Sequence, residues 1–469
     1  MFKRIRPSTG VRALVAAPMG TVVTGLRRLD IPWAGVAAAA ALVAVAAAEL
    51  ALVVLAVSHP LPAAVPNAAL LFHGGLGADP LGVSQSPLLT HAFFVKRDLF
   101  ALLIAMSVGY LAVLGLARHV RVRWALAALA VAFAIVGLAP VLLSKDAFLY
   151  VAYARLGALH HLNPYVHPPA AASRDAILRY VDWHRQVVPY GPVFTLGTYP
   201  LGLVSIPAAV WILKLVAIVS GVAALGLVWK CAQRLRRPAV PAVLAVGLNP
   251  LFLVYGVGGA HNDLLMVMLL LGGLYLLLSA RHRLGGAAVA LAVGVKAAAA
   301  PLAPFALLAS RRRGAALAGA LLAAAGLAAL TLAVYGPHQF GLRQQAATID
   351  RYSLPRMLAA PFGVGWSNSC AQHLGGCNAR ALEVVPAVLM AVTLALLLYR
   401  VWRGADPIAA AGWAALALIA SLASVMAWYL VWALPMTALS RSRWLYAATA
   451  ATGVFLLITS WPGRALLLP

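Results

Sequence analysis

Long apolar segments recur along almost the whole chain, and they restrict the fold more than any other feature. Full-length candidates are residues 34–58, 98–117, 124–143, 209–230, 239–257, 262–280, 314–335, 384–400, 406–424, 427–440 and 444–460. A helix needs roughly 20 apolar residues to cross the hydrocarbon core of a membrane. The composition, 63% hydrophobic and 10% charged, excludes a soluble globular domain. We therefore predict an all-α polytopic membrane protein with about eleven full spans.

Basic residues separate these segments and predict the orientation of the chain. Clusters at 118–123, 230–237 and 311–313 follow or precede apolar segments, and the first 33 residues are also basic. Lysine and arginine are enriched in cytoplasmic loops, so we place the N-terminus in the cytoplasm and the protein in the cell membrane. Residues 1–33 are then a basic tail and residues 34–469 a single transmembrane domain. The net charge of +25 is dispersed between spans, which is not the pattern of a nucleic-acid-binding face.

Residues 284–310 do not fit a simple span. Arginines flank this apolar segment on both sides, and it contains Lys296, Pro301 and Pro304. Backbone broken by proline at membrane depth is tolerated where it lines an enclosed or wet cavity. We predict a re-entrant hairpin with Lys296 facing such a cavity. The alternative is a single kinked span whose lysine extends to the membrane surface.

Two large extracytoplasmic loops, residues 144–206 and 336–383, contain most of the remaining polar residues. The second loop holds Cys370 and Cys377, for which a disulfide is plausible outside the cytoplasm. A zinc site is not expected there, because His373 is the one further ligand nearby. No metal and no other cofactor is predicted.

Two of the eleven acidic residues, Asp146 and Asp263, lie at the outer ends of apolar segments. Acidic residues at membrane depth are rare and usually functional, and these two could face a common cleft. Asp263 ends a glycine-rich turn, residues 255–263, together with His261 and Asn262. The alternatives are a helix cap for Asp263 and a loop ion pair for Asp146, for example with Lys145. For Glu49, within the first span, we favour a structural role.

Several cations and aromatic rings complete this candidate site. A basic group can stabilise a departing phosphate, and the candidates are Lys296, Arg343, Arg351 and Arg356. The arginines could equally contact anionic lipid headgroups. Aromatic residues near the outer face could stack on a sugar, although an aromatic belt at the membrane interface is the favoured interpretation for most of them. They are Tyr150, Tyr153, Tyr165, Tyr190, Trp366, Trp428, Tyr429 and Trp432.

Four short motifs together resemble a known family. They are Ser144-Lys145-Asp146, Asn163-Pro164-Tyr165, Pro189-Tyr190-Gly191-Pro192, and the segment from Asn249-Pro250 to Asp263. The chain resembles the GT-C class of membrane glycosyltransferases, and within it the actinobacterial polyprenol-phosphate-mannose-dependent α-(1→6)-mannosyltransferases of lipomannan core assembly. The resemblance covers about residues 95 to 440.

The resemblance implies a GT-C fold and an inverting transfer of mannose from polyprenyl-phosphate mannose to a mannoside or lipoglycan acceptor. Asp146 would be the general base, with Asp263, His261, Asn262, Tyr150 and Tyr190 around the acceptor. Lys296 and the arginines at 343, 351 and 356 would bind the donor phosphate. Membrane lipids are the other partners, and no nucleic acid is expected.

Other functions remain open from the residues. A polyprenyl-phosphate arabinose or glucose transferase, or a protein mannosyltransferase, needs the same kind of site, because sugars differ by one or two hydroxyls. A flippase or other transporter of lipid-linked sugars also needs charges in a membrane cavity. Transporters often contain inverted repeats, and no such repeat is visible in this sequence.

Overall fold

The computed structural model describes residues 33–58, 92–337, 352–359, 361 and 379–460, and helices make up most of them, with no strand in this part of the chain. The first eight α-helices are α1 Ala34–Ser58, α2 Ala92–Leu116, α3 Val122–Leu138, α4 Asp146–Ala158, α5 Pro192–Thr198, α6 Ile206–Arg234, α7 Ala239–Gly247 and α8 Asp263–Leu278. The remaining eight are α9 His282–Val295, α10 Ala303–Leu308, α11 Arg313–Tyr335, α12 Leu354–Ala359, α13 Ala379–Trp402, α14 Pro407–Ser421, α15 Leu434–Leu439 and α16 Arg443–Ser460.

Five helical stretches within the described ranges are long and apolar enough to cross a membrane. They are Ala34–Ser58, Lys96–His119, Ile206–Arg234, Arg313–Tyr335 and Val384–Trp402. These stretches agree with a polytopic membrane protein. The count of eleven spans, the GT-C fold, the domain boundaries and the orientation of the chain stay predictions.

Two segments predicted as regular continuous spans are irregular helices in the structure. Residues 239–257 form α7 and a π-helix, Leu251–Val257, bent by 54° relative to each other. Pro250 lies at the break and cannot donate a backbone hydrogen bond. Residues 427–440 form a 3₁₀ helix, Ala427–Trp432, followed by the short α15. The 3₁₀ helix 427–432 ends at Trp432, whose indole lies against Asp263.

Close glycine contacts place α9 between α8 and α11. A β-carbon on Gly285 would approach the carbonyl of Gly273 on α8. On the other side of the same helix, Gly286 lies against the backbone of Ala316, and Gly319 lies against that of Arg283. Small residues allow membrane helices to pack closely. The position of α9, which ends beside Lys296, is therefore determined by its neighbours on both sides.

The segment from α9 to α10 reverses direction, so that its two ends lie next to each other. At Lys296 the backbone is extended, with φ −151° and ψ 130°, and a 3₁₀ turn and α10 follow. His282 Nδ1 and Ser310 Oγ, at the two ends of this segment, are 2.7 Å apart. A single kinked span of this length would separate its ends by tens of ångströms, at 1.5 Å per residue. The kinked-span alternative is therefore wrong, and the insertion of the hairpin into a membrane stays a prediction.

Candidate active site

Asp146 is the first residue of α4, a helix within the predicted outer loop 144–206. Its amide donates a hydrogen bond to Ser144 Oγ at 3.1 Å, and its side chain is 21% exposed. Lys145 does not pair with it, because that ammonium binds Asp182 at 2.8 Å. Among the described residues, Asp146 forms one close contact with a basic side chain, His261, whose Nδ1 lies 3.5 Å from Asp146 Oδ2. The alternative of a loop ion pair with Lys145 is therefore wrong, and Asp146 keeps a partly open carboxylate.

The glycine-rich turn lies directly against the helix that Asp146 begins. His261 is 1% exposed, and its ring stacks on Trp428 with centroids 3.7 Å apart and planes 18° apart. Asn262 Oδ1 accepts a hydrogen bond from Tyr150 OH at 3.4 Å. These contacts join α4, the glycine-rich turn and the 3₁₀ helix 427–432. The structure thus brings Asp146, His261 and Asn262 into one cluster.

Asp263 is fully buried and is held by two donors. Lys296 Nζ lies 2.8 Å from each carboxylate oxygen, and Trp432 Nε1 donates to Oδ1 at 2.6 Å. The N-cap of α8 is Asn262, which makes no side-chain capping bond. A capping role for Asp263 is therefore wrong. Its charge is compensated inside the protein, in contrast to that of Asp146.

Lys296 is enclosed by aromatic rings as well as paired with Asp263. It is 9% exposed, and its ammonium lies 5.2 Å from the ring centre of Tyr429, 5.6 Å from Trp432 and 5.8 Å from Tyr190. A cation within about 6 Å of a ring face is attracted by the ring quadrupole. Lys296 therefore faces the protein interior, as predicted for the hairpin. It does not extend toward a membrane surface.

The aromatic residues near the site form an interior cluster, so their assignment to a membrane belt is wrong. Tyr150 and Tyr190 pack edge to face with centroids 5.1 Å apart, and Tyr429 stacks on Trp432 at 4.2 Å. The belt residues that the structure describes are buried, namely Tyr150, Tyr153, Tyr165, Tyr190, Trp428, Tyr429 and Trp432. These rings pack around the cluster of Asp146, Asp263 and Lys296, so they contact protein and not lipid. Trp366 lies outside the described residues.

Burial and negative charge keep the phenol of Tyr150 protonated. Burial raises the pKa of Tyr150 well above its usual value, and the charges of Asp146 and Asp263 raise it further. Burial is also the largest cause of the raised pKa of Tyr190, with further contributions from Tyr150 and Asp146. A protonated phenol can donate a hydrogen bond. Both tyrosines are therefore donors at the edge of the carboxylate pair.

The predicted arginines are not all placed at this cluster. Arg356 lies on α12, which packs against α13 and α14, whereas the carboxylates lie among α4, α8 and α9. Arg343 and Arg351 lie outside the described residues, as do Cys370 and Cys377. Across the described ranges, no group of three or more His, Cys, Asp and Glu residues could hold a metal ion.

Sequence reasoning missed Lys214, which lies in α6 and is 1% exposed. Its ammonium donates to the carbonyls of Gly258 at 2.8 Å and Pro140 at 3.3 Å. A lysine in the middle of an apolar span is itself a signal of function, because a charge at that depth is costly. The hydrogen bond of Trp432 to Asp263 was also missed, since tryptophan near a helix end resembles an interface anchor.

A large apolar cavity of about 840 Å³ opens beside the hairpin. Helices α9 and α11 form two of its walls, and the segment Pro189 to Pro192 forms a third. Ala297, next to Lys296, also lines it. Thr331 is a polar exception in a lining made mostly of alanine, leucine, valine, glycine and proline. An apolar chain could therefore lie in this cavity with its polar end near Lys296.

Comparisons with known proteins identify relatives of this chain. A family model described as the N-terminal domain of alpha-(1->6)-mannopyranosyltransferase matches residues 67–312. Alpha-(1->6)-mannopyranosyltransferase A of Mycobacterium tuberculosis is 29% identical over 437 residues, 84% of this chain and 83% of the relative. The enzyme of the same name from Corynebacterium glutamicum is 32% identical over 35% of this chain and 34% of its own length. No solved structure matches the chain significantly.

Proposed function

The chain belongs to the alpha-(1→6)-mannopyranosyltransferase family, and from this premise we propose that it transfers mannose from polyprenyl-phosphate mannose to a mannan or lipoglycan acceptor, forming an α-(1→6) linkage. It is a membrane-associated hexosyltransferase. The site would face the outside of the cell membrane, with the N-terminus in the cytoplasm. The activity named for the relatives favours mannose over arabinose or glucose. An enzyme family also disfavours the transporter alternative.

One observation carries the choice of Asp146 as the general base. Of the two carboxylates in the cluster, Asp146 is partly open and pairs with no lysine or arginine among the residues that the structure describes, whereas Asp263 is fully buried and bound to Lys296 and Trp432. A base must reach the proton that it removes, and a carboxylate already bound to an ammonium has little tendency to accept another proton. Asp263 would instead keep Lys296 in place.

In the proposed reaction, an acceptor hydroxyl gives its proton to Asp146 while its oxygen attacks the anomeric carbon of the donor. The bond from that carbon to the phosphate oxygen breaks, and the polyprenyl phosphate leaves with the electron pair. Attack from the face opposite the phosphate converts a β-linked mannosyl group into an α-mannoside. This single displacement needs one general base and one stabilised phosphate leaving group, so no metal or nucleotide is required.

His261 would orient the base. Its ring is fixed by the stack on Trp428, and its Nδ1 faces Asp146 Oδ2 at 3.5 Å. A ring held in this way can restrict the rotation of the carboxylate. Tyr150, Asn262 and Tyr190 would contribute hydrogen bonds to the acceptor sugar, since they lie around the same carboxylate.

The donor phosphate would bind near the third N–H of Lys296. An ammonium has three donors, and Asp263 engages two at 2.8 Å. Arg343 and Arg351 remain proposed contributors, whereas the position of Arg356 on α12 does not favour it. The polyprenyl chain would occupy the 840 Å³ cavity, because Ala297, the residue after Lys296 in the chain, is part of its lining. Burial of an apolar chain there is favoured by about 25 cal/mol per Å² of surface removed from water.

Transfer of radiolabelled mannose from synthetic polyprenyl-phosphate mannose to a short α-mannoside tests the base. We expect Asp146→Asn to lose about 10²- to 10⁴-fold in turnover with donor affinity retained. Asp98→Asn is a matched control, because Asp98 is 29% exposed and lies on α2, away from the cluster. Undiminished turnover by Asp146→Asn would refute the assignment. Absence of transfer by the wild type from any polyprenyl-phosphate sugar would refute the function.

Narrowing the cavity tests the donor site separately. Ala324 lines the cavity on α11, so Ala324→Phe should raise the KM for a long-chain donor at least several-fold. The control is Leu322→Phe on the same helix, where the side chain is 71% exposed and does not line the cavity. Equal KM values for the two variants would place the polyprenyl chain elsewhere.

A further inference from the structure

Lys214 is an intramembrane lysine whose ammonium is bound by carbonyls. It lies in the third turn of α6, is 1% exposed, and forms no ion pair with any acidic residue in the described part of the chain. Its hydrogen bonds go to Gly258 O at 2.8 Å and Pro140 O at 3.3 Å. A buried ionisable group in a membrane helix is costly and marks function more often than packing. The question is what these two carbonyls do.

Both carbonyls belong to segments that lead into the active site. Pro140 lies six residues before Asp146, and Gly258 lies three residues before His261. Gly258 O also accepts a hydrogen bond from the amide of Leu142 at 2.9 Å. Lys214 therefore reinforces a direct connection between the segment 140–146 and the glycine-rich turn. No other described lysine bonds to both segments.

Each segment contains a non-glycine residue with left-handed backbone between the lysine contact and the site residue. Leu143 has φ 56°, and Ala260 has φ 57°. Such a conformation is costly for residues with a β-carbon and persists when the surrounding structure holds it. Leu142 and Lys214 supply bonds on the same carbonyl, next to both strained positions. Loss of the ammonium would allow either segment to relax.

We propose that Lys214 is a positioning residue for the transfer reaction. By holding Pro140 and Gly258 together, it sets the 3.5 Å distance between Asp146 and His261 and the direction of the carboxylate. Lys214 does not touch the substrate in this role. The inference rests on the proposed function, because it assigns Asp146 as the group that is positioned.

Lys214→Met keeps the length of the side chain and removes its hydrogen-bond donors. Since a displacement of about 1 Å can cost 10²-fold in rate, we expect kcat to fall at least tenfold while the KM for the donor changes less than twofold. Lys214→Gln, which retains a neutral donor, should recover part of the rate. Ser220→Ala is the control, because Ser220 is buried in the same helix at 2% exposure. It should keep wild-type turnover.

A double-mutant cycle separates positioning from general loss of structure. In an Asp146→Asn background, Lys214→Met should cause no further loss of residual turnover, because the group that it positions is absent. An equal fold-loss in both backgrounds, or full turnover by Lys214→Met alone, would overturn the proposal. If the methionine variant does not fold, the glutamine variant enters the same cycle. The base assignment fails separately, through full turnover by Asp146→Asn alone, and the proposed function fails through absence of transfer by the wild type from any polyprenyl-phosphate sugar.

Discussion

The buried pair of Lys296 and Asp263 gives a prediction that does not depend on activity. Lys296→Met removes both 2.8 Å bonds and leaves Asp263, at 0% exposure, with the single bond from Trp432. Two hydrogen bonds to a charged group are worth about 1.5–3 kcal/mol each. Removal of one partner of a buried pair costs about 3–5 kcal/mol. The two magnitudes agree, so we expect a loss of about 3–5 kcal/mol in the free energy of unfolding.

The double variant Lys296→Met with Asp263→Leu distinguishes this reasoning from simple loss of packing. It removes both charges, which is often close to neutral, and leaves one unpaired donor on Trp432 at about 1–3 kcal/mol. It should therefore be more stable than the Lys296→Met single variant. Denaturant unfolding in detergent measures both, with the exposed Lys230→Met as a control expected within about 0.5 kcal/mol of the wild type. A double variant as unstable as the sum of the single variants would refute the argument.

Three further predictions concern the stability of other regions. Burial raises the pKa of Asp175, but hydrogen bonds from His160, a backbone amide and Arg155 outweigh burial and lower the pKa overall. The stabilisation by Asp175 is therefore present above the unfolded pKa of about 4 and is lost as pH falls through the lower folded pKa. The rate of proteolysis in the loop that contains Asp175, measured against pH, should rise as pH falls over this range. Asp175→Asn should abolish that acid dependence of the rate. Gly191→Ala would bring a β-carbon against the carbonyl of Gly294, so it should lower the unfolding free energy by about 1–3 kcal/mol; an unchanged melting temperature would contradict that contact. Glu49 is 0% exposed, and neither of its carboxylate oxygens is hydrogen-bonded within the described structure. Glu49→Leu should therefore raise the free energy of unfolding by about 1–3 kcal/mol, and with it the melting temperature. A lower melting temperature would indicate that Glu49 has a partner that the described residues do not include.

The sequence was sufficient to predict the features that depend on hydrophobicity and its interruptions. Helix α1 has the predicted bounds of 34–58, and α11 begins within one residue of its predicted start, because apolar length alone determines both. The gathering of Asp146, His261 and Lys296 also followed from polar residues that interrupt apolar segments. Such residues are costly in a membrane unless they meet one another.

The sequence was not sufficient where a residue has two equally favourable environments. Trp428 and Trp432 suit a membrane interface as well as a buried site, and the choice depends on which helices pack around them. Asp263 could cap α8 or pair across the bundle, and its partner Lys296 is 33 residues away in the chain. Lys214 is conspicuous within an apolar segment, but its partners are backbone carbonyls, which no sequence pattern identifies. Long-range packing decides all three cases.

The cavity beside the hairpin also has a measurable length. Its lining on α11 extends from Leu317 to Leu332, which is about 22 Å at 1.5 Å per residue. This is shorter than the roughly 30 Å hydrocarbon core, so a long polyprenyl chain would continue beyond the cavity into lipid. Isoprene units beyond the end of the cavity contact lipid acyl chains, as they do in the membrane without the enzyme, so they add nothing to binding. The affinity of the enzyme should therefore rise with polyprenyl chain length among short donors and become independent of chain length once the chain exceeds the cavity.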